Sequence, residues 1–170
     1  MPSEKKTVIG RDDDVNAIWK ILQMESITMT AERRIGKTMI LKKLAREHPE
    51  EWVVCFTDLE KIHSPTAFAE SLVASVHDYI STMDKVDEYW KKIQSRIPDI
   101  NVEMFGAKAK LSQENDKEID WRVVIEQVLI SAADTQNSNN KKLLLLLDEF
   151  PYMLQKFNND HPGSLSLIHI

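Results

Sequence analysis

Apolar residues recur at helical spacing in five stretches of the chain. Residues three and four positions apart share one face of a helix, so each stretch predicts an amphipathic helix with that face turned inward. The predicted inward residues are Val15, Ile18, Trp19 and Leu22; Met39, Ile40 and Leu44; Phe68, Leu72, Val76 and Ile80; Val86, Trp90, Ile93 and Ile97; and Trp121, Ile125, Val128 or Leu129, and Ala132. Ser64 and Pro65 open the third helix and Pro98 closes the fourth.

Shorter apolar runs predict strands. They are residues 26–30, 52–57 and 143–147. The last run consists of five leucines, and it predicts a strand buried on both faces. Alternating apolar residues on either side of Gly106 predict a small β-hairpin, so residues 81–118 are expected to form an excursion of a helix plus a hairpin. The polar segment of residues 134–142 predicts a loop. Because the other strands alternate with helices, we expect an α/β fold with a mainly parallel sheet.

The composition is that of an ordinary soluble globular protein, with 170 residues that one domain can accommodate. The chain is 42% hydrophobic and 29% charged, and its net charge is −5. No basic stripe gathers on one predicted face, so nucleic-acid binding is not indicated. We expect the paired lysines, such as Lys42 and Lys43, at solvated helix ends or loops. The five histidines do not show metal-ligand spacing.

The single cysteine, Cys55, lies inside the apolar run of the second predicted strand, where we expect a buried and unreactive thiol. One cysteine excludes an internal disulfide framework and favours a reducing compartment. The longest apolar run has five residues, which is too short for a membrane span or for the apolar part of a signal peptide. We therefore expect a cytoplasmic protein that does not contact a membrane.

The candidate chemistry begins with a match to the phosphate-binding pattern GxxxxGK[ST], in which alanine replaces the first glycine. The matching residues are Ala31, Glu32, Arg33, Arg34, Ile35, Gly36, Lys37 and Thr38. A loop between a strand and a helix points its backbone N–H groups into a concave nest, and the helix adds its positive end. Gly36 lets the main chain approach the phosphates, Lys37 would contact the β- and γ-phosphates, and the Thr38 hydroxyl would ligate Mg²⁺. Ala31 costs about 1 kcal/mol if that position needs positive φ. The plainer alternative is a helix that only begins at a glycine.

Two acids, Asp148 and Glu149, follow the leucine run. A buried strand delivers its last residue to the carboxyl edge of a sheet, where ligands bind in open α/β folds. We expect Asp148 to hold Mg²⁺, directly or through a water, and Glu149 to activate the attacking water as a general base. The alternative is two solvated acids at a strand end. Together with the phosphate-binding pattern, the pair predicts binding of ATP and Mg²⁺, whereas hydrolysis depends mainly on Glu149.

These motifs resemble those of the archaeal-type branch of AAA+ and STAND-like P-loop ATPases. AERRIGKT and LLLLLDEFPYML are similar to the Walker A and Walker B elements of that family, and VIGRDDDVNAIWKIL resembles its opening Gly-Arg-acidic box. The resemblance covers residues 8–59 and 121–154, and it implies a three-layer P-loop sheet with Glu149 and Lys37 as catalytic residues. It also implies that Ile9, Gly10 and Arg11 lie near the adenine. The expected nucleotide-binding residues are then these three, the eight residues of the loop, and Met39.

Arg33 and Arg34 match the arginines that this family carries in its loop. They would either stabilise charge at the phosphates or lie in solvent or in a structural ion pair. We favour the second interpretation.

The last six residues of the chain are the translation of the end of a transposase sequencing adapter. We therefore expect the natural sequence to end near Ser164, with a partial ATPase domain over residues 1–164 and an artefact over residues 165–170. In the resembled family a strand with a polar sensor residue, a helical lid and usually an effector domain follow. The expectation is a sheet that is incomplete at the C-terminus, and a fragment that is marginally stable and a poor catalyst by itself.

The favoured function is an ATPase whose nucleotide state switches a downstream domain or an unidentified protein partner, with the oligomeric state left open. One alternative is a nucleotide-gated interaction protein that scarcely hydrolyses ATP. Another is a P-loop phosphotransferase, which would need an acceptor site and a mobile lid.

Overall fold

The computed structural model describes residues 11–29, 35–80, 86–97, 100–105, 108–113, 120–138 and 140–160. In chain order its elements are α1 (Asp12–Leu22), α2 (Lys37–Arg46), β1 (Trp52–Asp58), α3 (Pro65–Ile80), α4 (Val86–Arg96), β2 (Ile100–Phe105), β3 (Lys108–Gln113), α5 (Trp121–Ser138), β4 (Lys142–Asp148) and α6 (Phe150–Asp160). The fold is therefore mixed α/β, as the alternation of helices and strands predicts. The chain divides into two compact units, Met1–His48 and Pro49–Ile170.

The first unit contains α1 and α2. Val15 and Trp19 are buried on α1, as predicted, and Ile40 and Leu44 are buried on α2. Met39 was predicted to face inward, but 45% of it is exposed. The reason is helical geometry, because the buried face of α2 runs through residues 40, 43 and 44, and a neighbour of residue 40 lies about 100° around the helix.

Two further predictions in this unit are wrong. Residues 26–29 do not form a strand, because a short apolar run becomes a strand only where a neighbouring strand takes its hydrogen bonds, and no described residue pairs with them. Lys43 does not lie in solvent. It is 4% exposed, and its ammonium group reaches the carboxylate of Asp12 on α1.

The second unit contains a parallel pair of strands, β1 and β4, as the sequence predicts. Their register runs from Trp52 opposite Lys142 to Asp58 opposite Asp148, so both strands end at the same edge. The prediction that β4 is buried on both faces is wrong. Leu146 is buried, but the other leucines are partly exposed, because β1 is the only strand that pairs with β4 in the described part of the chain.

The long helix α3 follows the sequence prediction closely. The Ser64 hydroxyl accepts a hydrogen bond of 3.1 Å from the Ala67 N–H, which caps the helix at Pro65. All four predicted inward residues are buried, namely Phe68, Leu72, Val76 and Ile80. Val76 and Ile80 join β1, α4 and α5 in the main core of this unit.

The predicted hairpin is present as the antiparallel pair β2 and β3. Its buried Leu111 belongs to the main core, and the Leu111 N–H donates a hydrogen bond of 2.9 Å to the carboxylate of Glu70 on α3. The preceding helix α4 contributes Tyr89, whose hydroxyl donates to the Val128 carbonyl oxygen at 3.3 Å. The region that was expected to be an excursion therefore packs on the same core as α3 and α5.

The helix α5 extends further than predicted. Asp120 caps it by accepting a hydrogen bond from the Arg122 N–H at 3.1 Å. The residues predicted as a loop at 134–138 continue the helix. Tertiary contacts favour this extension, since Arg96 of α4 donates to Ser131 and to Asp134 at 3.2 and 3.3 Å. The most buried face runs through Val124 rather than the partly exposed Trp121 and Ile125.

Candidate functional site

The helix α2 begins directly after Gly36, at the place that the phosphate-binding pattern predicts. Gly36 is the N-cap residue with φ of 90°, a left-handed conformation that glycine adopts without strain. Its carbonyl oxygen accepts hydrogen bonds from the N–H groups of Met39 and Ile40, at 3.0 and 3.1 Å. Among the described residues, no atom comes within 4 Å of the position that a Cβ would take. The backbone conformation rather than crowding therefore selects glycine here.

The positive end of α2 differs in its charges from that of α1. The first turn of α1 carries Asp12, Asp13 and Asp14, which offset the partial positive charge of the helix N-terminus. The first turn of α2 lacks acidic residues and begins with Lys37. The first turn of α2 therefore adds a positive side chain to the partial positive charge of the helix N-terminus.

Arg11 makes a contact that the sequence does not predict. Its Nη2 donates a hydrogen bond of 2.9 Å to the carbonyl oxygen of Ile35, and its Nη1 lies 3.3 Å from Asp14 Oδ2. Both terminal nitrogens of the guanidinium group are thus engaged. One contacts Asp14 in the first turn of α1, and the other contacts Ile35, the residue before Gly36. The resemblance implies a position near the adenine for Arg11, whereas its described contact is with the loop backbone.

The other predicted residues of the first unit fall into three groups. Lys37 and Thr38 are partly buried in the first turn of α2. Ile35 lies before the N-cap of α2 and Met39 lies in its first turn, and each is 45% exposed. The predicted residues outside the described part of the chain are Ile9, Gly10, Ala31, Glu32, Arg33 and Arg34.

Asp148 and Glu149 lie at the carboxyl end of β4, where the sequence predicts them. Asp148 is 5% exposed, and its carbonyl oxygen accepts a hydrogen bond of 3.1 Å from the Leu59 N–H. Glu149 follows with φ of 58°, and its carbonyl oxygen accepts the Met153 N–H at 3.0 Å, so α6 starts from it. Asp58, opposite Asp148 in the register, is exposed and accepts a hydrogen bond from the Glu60 N–H at 3.0 Å.

Three of the described helices start from a residue in the left-handed region. These residues are Arg11 with φ of 72°, Gly36 with φ of 90° and Glu149 with φ of 58°. Only Asn140 joins Arg11 and Glu149 among the described non-glycine residues with positive φ. A left-handed conformation costs an ordinary side chain about 1–2 kcal/mol. Such strain is concentrated at functional sites. The backbone conformation therefore selects Arg11 and Glu149 independently of the sequence motifs.

The predicted metal ligands offer hard oxygen donors. Thr38 would supply a hydroxyl and Asp148 a carboxylate, and Mg²⁺ prefers such ligands together with waters and phosphate oxygens. The described residues do not contain a group of three or more His, Cys, Asp and Glu side chains placed to hold a metal.

Comparison with models of protein families, with curated proteins and with solved structures gives no match. None of the helices in the described residues is long and apolar enough to cross a membrane.

Proposed function

We propose that this protein binds ATP with Mg²⁺ through the loop of residues 31–38 and hydrolyses it to switch a protein partner or domain. The observation that carries the proposal is the left-handed Gly36 at the start of α2, followed by Lys37 and by a first turn without acids. Backbone N–H groups at a helix start, the helix dipole and an ammonium group together favour a phosphate chain. The net charge of −5 would otherwise disfavour such an anion, so the attraction has to be local.

The proposal includes a three-layer sheet of the P-loop kind. The parallel pairing of β1 and β4 supports it, as does the placement of Asp148 and Glu149 at the carboxyl end of a strand. Asp148 would bind Mg²⁺, and Glu149 would accept a proton from the attacking water or orient it. The Thr38 hydroxyl would complete the protein's share of the metal ligands.

Binding is tested by calorimetric titration of the purified chain with ATP and Mg²⁺. Lys37→Ala should weaken ATP binding by about 100-fold, because it removes a charge-assisted contact with two phosphates. Lys42→Ala is the matched control, since Lys42 lies on the same helix and is exposed. An unchanged affinity in Lys37→Ala would refute the phosphate-loop assignment.

Hydrolysis is tested by phosphate release in the absence of any acceptor. Glu149→Gln should retain ATP binding and lose turnover by about 100-fold or more, since general-base catalysis has that size. Glu126→Gln, an exposed acid on α5, should retain both. Binding without turnover in the unmodified chain would favour the nucleotide-gated interaction protein. Turnover only with an added acceptor would favour the phosphotransferase.

A further inference from the structure

The hydrogen bond between Arg11 and Ile35 acts on a single peptide unit. The carbonyl oxygen of Ile35 and the N–H of Gly36 belong to the same planar, trans peptide, so they point in opposite directions. Arg11 Nη2 holds that oxygen at 2.9 Å. Fixing the oxygen on the side of Arg11 therefore aims the Gly36 N–H to the other side.

The side chain and the backbone of Arg11 each make a contact within α1. Arg11 Nη1 lies 3.3 Å from Asp14 Oδ2, and the backbone carbonyl oxygen of Arg11 accepts the Val15 N–H at 3.0 Å as the first hydrogen bond of α1. The adjacent Asp12 accepts a hydrogen bond of 2.6 Å from the buried Lys43 of α2. Arg11 and Asp12 thus tie the start of α1 to α2 at two places, Ile35 before its first turn and Lys43 further along.

We infer that Arg11 is a positioning residue that orients the Ile35–Gly36 peptide so that its N–H donates to a bound phosphate. The inference deepens the proposed function and rests on it. Arginine suits the task because its planar fork serves Asp14 and Ile35 at the same time, which a single lysine ammonium does with less geometric definition. Arg11 is itself the N-cap residue of α1, with a left-handed backbone at φ of 72°.

The Gly36 amide reports on this peptide directly. The chain has four glycines, so protein labelled with ¹⁵N-glycine gives a simple amide spectrum, and the signal lost in Gly36→Ala assigns the resonance. In the unmodified chain without ligand, the Gly36 N–H should already differ from that of Arg11→Ala, because a hydrogen bond to the carbonyl polarises the whole peptide. Titration with inorganic tripolyphosphate should then shift the Gly36 amide further.

Affinities for two ligands separate the two roles of Arg11. If Arg11 orients the loop, Arg11→Ala weakens both ATP and tripolyphosphate by about tenfold, and the Gly36 amide responds less to tripolyphosphate. Arg11→Lys should restore part of the affinity for ATP and for tripolyphosphate. Arg46→Ala, which removes an exposed arginine of α2, is the matched control and should behave as the unmodified chain.

Two results would overturn the inference. If Arg11→Ala weakens ATP but leaves tripolyphosphate affinity and the Gly36 amide unchanged, Arg11 serves the base rather than the loop. If Arg11→Ala does not fold, the same comparison is made with Arg11→Met, whose side chain is long but cannot donate a hydrogen bond, and an unaltered Gly36 amide there is equally decisive. Failure of the proposed function looks different, because the unmodified chain would then respond neither to ATP nor to tripolyphosphate.

Discussion

The ammonium group of Lys43 lies 2.6 Å from Asp12 Oδ1, across 31 residues of sequence. The Lys43 side chain is 5% exposed, whereas 71% of the Asp12 side chain is exposed. A carboxylate at the surface therefore balances the positive charge of a buried lysine. Glu47 Oε2 lies 3.7 Å from the same ammonium. The hydrogen bond from Lys43 holds the pKa of Asp12 below its usual value, and the Asp12 carboxylate raises the pKa of Lys43. The two helices of the first unit are therefore joined by an ion pair that forms in the folded chain.

Asp12→Asn should destabilise the first unit more than Lys43→Met does. The asparagine leaves a buried ammonium without its full counter-charge, whereas methionine replaces that ammonium with an apolar group of similar length. The measurement is thermal unfolding of the single variants and of the double variant at neutral pH. The double variant should be more stable than Asp12→Asn alone, and equal melting temperatures for these two would contradict the role given to the pair.

The same pair predicts a pH dependence of stability. Because the folded pKa of Lys43 is raised above 10.5, its contribution is complete below that pH and is lost as pH rises through the higher folded value. The folded pKa of Asp12 is lowered below 3.8, so its contribution is present above that pH and is lost as pH falls further. The free energy of unfolding, measured with denaturant, should fall with pH below 3.8 and should fall again as pH rises above 10.5. Asp12→Asn should reduce both slopes.

Glu149→Gly should stabilise the fold while removing the carboxylate. Glycine relieves the strain of a side chain at φ of 58°, and the expected gain in the free energy of unfolding is about 1 kcal/mol after the flexibility of glycine is subtracted. Glu149→Ala retains the strain and should not show this gain. Denaturant unfolding of the two variants measures the difference. A glycine variant that is less stable than the alanine variant would contradict the backbone strain assigned to this position.

Asn140 supplies the matched control for that prediction. It has φ of 55° in the turn before β4, but asparagine tolerates this region better than glutamate does. Asn140→Gly should therefore give a smaller gain than Glu149→Gly. If the expected turnover is lost only in the variants of Glu149, evolution has retained a strained glutamate for its carboxylate at a cost in stability.

The elements that sequence predicts well are those whose determinants are local. Ser64, Pro65 and the spacing of four apolar residues specify α3 from within the helix itself, and the structure follows them. The parallel pairing of β1 with β4 also follows from two apolar runs separated by helices. The start of α2 is also predicted from local determinants, because Gly36 and the helical sequence that follows it specify where the helix begins.

The remaining features depend on partners far away in the chain. From the sequence alone, the pair Lys42 and Lys43 is typical of a solvated helix end. The fold brings Asp12 within hydrogen-bond distance of Lys43, and no local pattern indicates this contact. The polar residues after Ala133 resemble a loop, yet Arg96 holds Asp134 and the helix continues. The contact of Arg11 with Ile35 has no sequence signal beyond the two motifs themselves. Such errors arise because periodicity and turn chemistry contain only short-range information.

Cys55 should resist thiol reagents in the folded chain. It is 3% exposed, and burial raises the pKa of its thiol to about 12, so very little thiolate exists at neutral or mildly alkaline pH. In the folded chain, reaction with a maleimide or an aromatic disulfide at pH 8 should therefore be slow, because it requires β1 to open. In denaturant, the same reaction should proceed at the rate of an exposed thiol. Rapid labelling of the folded chain would contradict the burial of this strand. Cys55→Ala should abolish labelling altogether, since the chain has one cysteine.

His77 should make the second unit less stable in mild acid. Its Nδ1 is buried and does not have a hydrogen-bond partner in the described part of the chain, and its ring meets Trp90 edge-on at 5.5 Å between centroids. Burial lowers the pKa of His77 below its ordinary value of 6.5, although the nearby Asp78 carboxylate opposes this. The unfolded chain therefore binds the proton more readily, so the contribution of neutral His77 is present above pH 6.5 and is lost as pH falls through the lower folded value.

The test compares denaturant unfolding of the unmodified chain and of His77→Phe between pH 7.5 and about pH 5. Phenylalanine keeps an aromatic ring against Trp90 and cannot take up a proton, so its stability should decline less over this range. His48→Gln, at an exposed position in the first unit, is the control and should retain the slope of the unmodified chain. Equal slopes for His77→Phe and the unmodified chain would show that the Nδ1 of His77 reaches water, because a solvated imidazole does not distinguish the folded from the unfolded state.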